Sequence, residues 1–195
     1  MERGDTVVVR VMSRRRSAVA IEAAAPGALV LDVTSRGPAP WVRLSPFYPH
    51  GGIPVPFSPA DTGESVEGIW QALKVFADAD VDPSRLRVTT MKGLKRTVRR
   101  YGAVRGHRTG LTGDRLLGYE EARRRIYLPA YRWTLENAAA DLVAELRRIS
   151  LDRDVVLLDY TTNGDVTDLG TPLSHAALVA LYLSGNWPVE SPDTE

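Results

Sequence analysis

Residues 65–76, Ser-Val-Glu-Gly-Ile-Trp-Gln-Ala-Leu-Lys-Val-Phe, constrain the fold more than any other stretch of the chain. At about 100° per residue, Val66, Ile69, Trp70, Leu73 and Phe76 fall in a stripe roughly 120° wide, the i, i+3, i+4, i+7 signature of a packed helix. Trp70 and Leu73 are therefore expected to be largely buried. The other side stacks Glu67, Gln71 and Lys74 at i, i+4 and i+7. A solvated helix face usually carries interchangeable charges, whereas this one has a single carboxylate, a single amide and a single amine beside an indole. Two readings stand side by side. Ser65 can be an N-cap with Glu67 in the first turn, where the helix dipole favours it by roughly 0.3–1 kcal/mol, or Glu67 can carry chemistry.

With 195 residues, 44% hydrophobic and 25% charged, the chain suits one compact domain. Residues 1–188 are expected to form it, with 189–195 a mobile acidic tail. The absence of cysteine excludes disulfides, thiolate metal sites and thiol redox chemistry. The apolar run Thr6 to Met12 precedes Arg14-Arg15-Arg16, the reverse of a secretory signal, and no stretch approaches a membrane span. A cytoplasmic protein without a membrane partner is expected. Net charge is only +1, yet Arg85 to Arg125 holds thirteen Lys and Arg against Asp114, Glu120 and Glu121. Such asymmetry points to an anionic ligand, a phosphate or a nucleic acid, although a solvated basic helix face has the same composition.

In chain order, Thr6 to Met12 and Ala28 to Thr34 read as β-branched strands, with Ser17 to Ala25 a short strand or a helical turn. Residues 35–40 are a loop. Trp41 to Pro59 interleaves Pro46, Pro49, Pro54, Pro56 and Pro59 with Trp41, Phe47, Tyr48 and Phe57, an irregular segment that either covers the core or stacks on a flat ligand. Thr89 to Tyr101 reads as a basic helix on a Met91, Leu94, Val98 stripe, and Gly102 to Gly118 as a loop in which His107 is exposed. Tyr119 to Asn137 reads as a long helix kinked by Pro129, followed by a helix over Ala138 to Ile149. Val155 to Thr161 is a buried-type strand leading into Thr162 to Asp168, a turn that gathers Asp165 and Asp168 beside Asp159. Three acids can bind Mg²⁺ or Ca²⁺, but the spacing does not match a calcium loop, and turn formation explains it equally. Ser174 to Leu183 is a last helix with Ser174 as N-cap. The fold class expected is α+β: a predominantly helical single domain in which the three strands share one small sheet.

The order of these two chemically dense places resembles the NADAR, or YbiA-like, family of N-glycosidases. That family's helix typically reads Ser-Glu-His-x-x-Gln-Ala-x-Lys-Phe, and Glu67, Gln71, Ala72 and Lys74 fall in register with it. Phe47 to Phe57 stands for its aromatic loop, Leu94 to Arg99 for its Ala-Lys-Arg-Leu-Gly-Arg element, and Gly118-Tyr119 for its Asp-Trp. Its closing Leu-Val-Glu-x-Thr-x-x-Asp is echoed in Leu157 to Asp165, with one extra residue before the last Asp. Gly68 replaces the family's His, Tyr119 its Trp, and no Trp-Gly follows Asp165.

The resemblance implies a YbiA-like fold and cleavage of N-glycosidic bonds of ribose phosphates, in riboflavin-pathway intermediates or ADP-ribosylated guanine. The expected substrate is then a ribosylated nucleotide or an ADP-ribosylated base, with no metal and no cofactor. Breaking a C1′–N bond develops oxocarbenium character that a carboxylate stabilises. Glu67 and Asp165 are the candidates for that role and for supplying the attacking oxygen, with Asp159 or Asp168 as substitutes within the turn. Lys74, Lys95 and Arg99 are expected to share one phosphate-binding cleft, Phe47, Trp70 or Tyr119 to stack on the base, and Gln71 to line the site. The alternative is a nucleotide- or nucleic-acid-binding module without turnover, using the basic region 85–125.

Overall fold

The computed structural model describes residues 8–190. In chain order the elements are strand β1 (Val9–Ser13), helix α1 (Ala18–Ala24), strands β2 (Leu29–Asp32), β3 (Ile53–Val55) and β4 (Ser58–Gly63), helix α2 (Val66–Leu73) and strand β5 (Lys74–Phe76). Helix α3 (Val98–Tyr101), strands β6 (Val104–Arg108) and β7 (Leu116–Leu117), and helices α4 (Tyr119–Ala122), α5 (Leu128–Trp133) and α6 (Ala140–Asp152) follow, then strand β8 (Val155–Asp159) and helix α7 (His175–Leu183). These elements fall into two compact units, residues 8–45 with 139–187 and residues 46–138 with 188–190.

The first unit is built on a parallel sheet ordered β1-β8-β2, with Val155 level with both Val9 and Leu29. The strands expected near 6–12, 28–34 and 155–161 do share one sheet; Thr6 and Val7 lie outside the described residues. The central strand β8 reads Val-Val-Leu-Leu-Asp with almost every position buried, as a parallel strand covered on both faces requires. One face is closed by α1, whose Ile21 and Ala25 pack with Met12 and Val156, while α7 packs on β1 and β8. The Ser17–Ala25 segment resolves to a helix because the Ser17 hydroxyl accepts from the Ala20 N–H and alanines follow. Arg43 grips Asp141 through two nitrogens at 2.6 and 2.9 Å, tying the 3₁₀ turn Trp41–Leu44 to α6.

The second unit has the hairpin β3–β4 and an antiparallel sheet ordered β5-β6-β7. Helix α2 sits among β4, β6 and α5, with Val66, Ile69 and Leu73 buried. Ser65 caps it, its hydroxyl accepting from the Gly68 N–H at 3.0 Å. The helix stops at Leu73, and Lys74–Phe76 turns extended to pair with β6. Trp70 is half-buried rather than buried. From Tyr119 to Ala138 the chain runs helically through α4 and α5, with π-helical turns at Arg123–Tyr127 and Thr134–Ala138. Pro129 comes just after the π-helical turn Arg123–Tyr127, the kind of local widening by which a continuous helical run takes up a residue with no N–H.

Three expectations are corrected. The chain is not predominantly helical: it is mixed, 38% helical and 19% strand, in several small sheets. The excess of strand comes from segments read as loops or helix, namely β3–β4, β5 and β6–β7. The basic helix over 89–101 reduces to α3, because Gly93 adopts a φ of 74° that breaks the helix and Arg96 turns inward, leaving Val98 58% exposed. His107 is buried in β6, not exposed. Toward the end of the described residues the Val189 carbonyl accepts from Arg124 at 2.8 Å and Glu190 lies 3.2 Å from Arg132. Residues 191–195 lie outside the described residues. No helix among the described residues is long and apolar enough to cross a membrane.

Candidate functional site

The first turn of α2 carries Glu67, 8% exposed, with its own N–H donating to the Pro46 carbonyl at 2.8 Å. That bond sets the start of the aromatic loop against the helix. One turn on, Gln71 Nε2 donates to Glu67 Oε1 at 3.0 Å, and Gln71 Oε1 accepts from the Arg96 N–H at 2.9 Å. Glu67 Oε2 takes no hydrogen bond among the described residues and is not one of the sealed-off polar atoms. Burial pushes the Glu67 pKa above the usual carboxylate range, against the pull of Gln71, Lys95 and Lys74. Two cations thus act on one buried carboxylate.

Lys74 and Lys95 reach that place by different routes. Lys74 is half-buried where helix becomes strand, its ammonium 5.5 Å from the Phe76 ring centre. Burial lowers its pKa, Glu67 opposes the shift, and Lys95 and Arg96 add to it. Lys95 is exposed, 5.4 Å above Phe47. Between them Arg96 is 5% exposed, its Nη1 donating to the Lys74 carbonyl at 2.6 Å and its Nη2 to the Asp80 carbonyl at 2.7 Å. It holds the segment after Gly93 against the end of α2. Arg99, expected in the phosphate cleft, is exposed on α3, and the arginine that the fold draws inward is Arg96.

Trp70 leads a second cluster. Its ring centre lies 3.7 Å from that of His107, 6.0 Å from Tyr119 and 5.8 Å from Tyr127. Tyr119 is 43% exposed, and the buried Arg123 guanidinium lies 4.4 Å from its ring centre. His107 is 1% exposed, and neither ring nitrogen has a hydrogen-bond partner among the described residues. Burial, then the charge of Lys74 opposite it in the sheet, lowers its pKa to about 3, so it is a neutral imidazole. Of the residues expected in the site, Glu67, Gln71, Lys74, Lys95, Phe47, Trp70 and Tyr119 all lie in the second unit. Sequence reasoning missed Arg96 and His107; the Val-Arg-Gly-His-Arg run alternates too weakly to announce a strand.

Gly68 has a structural reason. A Cβ there would stand 2.8 Å from the Arg85 carbonyl oxygen and 3.0 Å from Ser65 Oγ, so a side chain at this position has no room unless the backbone at Arg85 shifts.

The acidic residues of the turn belong to the first unit. Asp159 is 5% exposed; its Oδ2 accepts from Ser174 Oγ at 2.8 Å and lies 2.9 Å from His175 Nδ1, and its Oδ1 accepts from the Tyr160 N–H at 2.7 Å. Burial alone would raise its pKa, but the His175 bond and charge, Ser174 and Tyr160 outweigh it and hold it low. His175 Nε2 lies 2.8 Å from the Val33 carbonyl, so its two ring nitrogens face two acceptors, the Asp159 carboxylate and a backbone carbonyl. Ser174 caps α7. This Ser-His-Asp set is a structural clasp, because the serine hydroxyl bonds the carboxylate and not the imidazole. Asp165 and Asp168 are exposed and fold the turn: Asp165 Oδ1 accepts from the Thr167 N–H and hydroxyl, and Asp168 Oδ1 from the Gly170 N–H. Among the described residues no group of His, Asp and Glu is arranged to hold a metal.

No curated protein and no solved structure matches the chain. The model of a family of unknown function (DUF6939) matches residues 13–179, and the chain belongs to that family.

Proposed function

We propose that the protein is an N-glycosidase that hydrolyses the C1′–N bond of a phosphate-bearing ribosylated base, with Glu67 as its acting carboxylate. The observation that carries this reading is one buried carboxylate, oriented by Gln71 and flanked by Lys74 and Lys95, on the helix face where the sequence resembles such enzymes. A carboxylate whose proton affinity burial has raised is a stronger base than one in water. In the proposed step a water oxygen adds to C1′ and gives its proton to Glu67. The C1′–N electron pair leaves with the base nitrogen, which takes a proton from solvent. Developing positive charge on the sugar is met by the carboxylate. Lys74 and Lys95 supply charge-assisted bonds to phosphate, and the exposed faces of Trp70 and Tyr119 offer a surface for the base.

One observation favours a second reading, binding of a polyanion without turnover. Arg85 to Arg108 contains no acid, and Arg87, Lys92, Lys95, Arg99, Arg100 and Arg105 are exposed and form no ion pair among the described residues. A panel of ribosylated nucleotides and ADP-ribosylated bases, followed by mass spectrometry, separates the readings. The expected result is free base released by the native protein and not by Glu67→Gln. Salt-sensitive nucleic-acid binding with no base release from any member overturns the glycosidase reading.

A further inference from the structure

The run Arg14-Arg15-Arg16 takes no part in the Glu67 site, and the fold gives it a definite place. It leaves the carboxyl end of β1, where Ser13 is level with Asp159 of β8 and the Arg14 N–H donates to the Asp159 carbonyl at 2.7 Å. Asp32 ends β2 level with Leu158. All three parallel strands therefore finish at one edge of the first unit.

The chain leaves neighbouring strands at that edge in opposite directions. From β1 it passes to α1, which covers the face bearing Met12 and Val156. Asp159 lies three residues beyond Val156 and so on the other face, where its carboxylate accepts from the Ser174 hydroxyl at the start of α7. From β8 the chain thus goes to α7 on that second face. Where the connections after adjacent parallel strands diverge in this way, a crevice opens outside the carboxyl ends, and there open α/β sheets bind ligands.

The chemistry at this edge is one-sided. The residues that leave the strands, 14–17, 33–37 and 160–164, hold four arginines and no acid. Arg14 is already engaged: its Nε donates to Asp32 Oδ2 at 2.7 Å, and its guanidinium carbon stands 5.8 Å from the centre of the Tyr160 ring. Arg15, Arg16 and Arg36 are exposed and form no ion pair among the described residues. The frame beneath them is fixed. The Tyr160 N–H donates to Asp159 Oδ1 at 2.7 Å, and Asp32 Oδ1 accepts from the Thr34 N–H and hydroxyl at 3.0 and 2.6 Å. The Thr34 hydroxyl oxygen in turn accepts from the Arg36 N–H at 3.2 Å. Guanidinium groups that no carboxylate neutralises bind phosphate by their planar fork. The Tyr160 ring, 38% exposed beside them, offers a face to a flat ring.

We infer that the carboxyl edge of the β1-β8-β2 sheet is a nucleoside monophosphate site, in which Arg15, Arg16 and Arg36 bind the phosphate and Tyr160 stacks on the base. It shares no residue with the Glu67 site and does not depend on the glycosidase reading.

The test is a titration of the isotope-labelled full chain with adenosine 5′-monophosphate, read on backbone amide signals by NMR. Saturable shifts are expected at Arg15, Arg16, Arg36 and Tyr160. Adenosine and inorganic phosphate, each lacking one half of the contacts, should bind at least about tenfold more weakly. Arg15→Gln combined with Arg16→Gln should weaken the nucleotide at least about tenfold while distant amides keep their positions. Shifts confined to the residues around Glu67, or no saturable shift, overturn the inference on the native chain, whether or not a variant folds. So does inorganic phosphate binding as tightly as the nucleotide, which would leave an anion site with no place for a base. A response at these amides to a single-stranded oligonucleotide but not to the mononucleotide overturns it as well.

Discussion

Gln71 holds Glu67 in place: its amide nitrogen donates to Glu67 Oε1 at 3.0 Å, while its amide oxygen is fixed by the Arg96 N–H at 2.9 Å. The i, i+4 spacing brings the two side chains together, and the buried N–H from a segment 25 residues away decides which end of the amide faces the carboxylate. Gln71→Leu keeps the volume but strands the Arg96 N–H and removes a donor from Glu67. It should lower stability by about 1–3 kcal/mol in denaturant titration and reduce base release as well.

Glu67 itself is a stability liability at neutral pH. Its folded pKa is raised above 4.5, so the stability linked to its protonation is fully present below that value and is lost as pH rises through the folded pKa. Glu67→Gln removes this dependence, and thermal melts from pH 4.5 upward should show the variant gaining on the native protein. A Glu67 that served only as a capping charge would make the variant less stable by at most about 1 kcal/mol.

His107 has the opposite sign. Its pKa falls from 6.5 to about 3 on folding, so the stability linked to its neutral form is present above 6.5 and is lost as pH falls toward 3. At about 1.4 kcal/mol per unit, that is a loss of several kcal/mol across the window. His107→Phe fills the place against Trp70 without two orphaned nitrogens. It should be more stable than the native protein below pH 6 by chemical denaturation; equal acid sensitivity would show that His107 is not the group responsible.

Asp159→Asn tests the clasp in the first unit. Breaking a buried ion pair by neutralising one partner costs about 3–5 kcal/mol, and Asp159 also serves Ser174 and the start of α7. Because its folded pKa is depressed below 3.8, its contribution is present above that value and lost as pH falls through the folded pKa. The variant should melt earlier at pH 7 and lose less than the native protein on acidification. If melting at pH 7 is unaffected, the clasp is not structural.

Gly68→Ala is a minimal probe of the α2 surface. The added carbon meets a backbone carbonyl at 2.8 Å, which cannot swing aside as a side chain can, so despite alanine's better helix propensity the variant should be destabilised by roughly 1–3 kcal/mol. A stabilised variant would mean that the segment carrying Arg85 yields easily.

The sequence by itself determined the local elements whose signals are short-range. Ser65 and Ser174 as caps, Ile69 and Leu73 as the inner stripe of α2, and the uniformly apolar β8 follow from spacing and composition, because capping and amphipathic burial are decided within a few residues. The pairing of Glu67 with Gln71 was legible for the same reason. Only tertiary structure decided the rest. Lys74 leaves the helix because β6 offers it a strand partner, and no local signal announces that pairing. Arg96 turns inward because three carbonyls from 71, 74 and 80 converge on it. His107 is buried because a sheet forms around it in a stretch whose glycines and arginines read as loop. β-pairing and the burial of a charge depend on partners distant in sequence, so a helix period can be read from one segment, whereas a strand partner or a carbonyl cage exists only once the chain has folded.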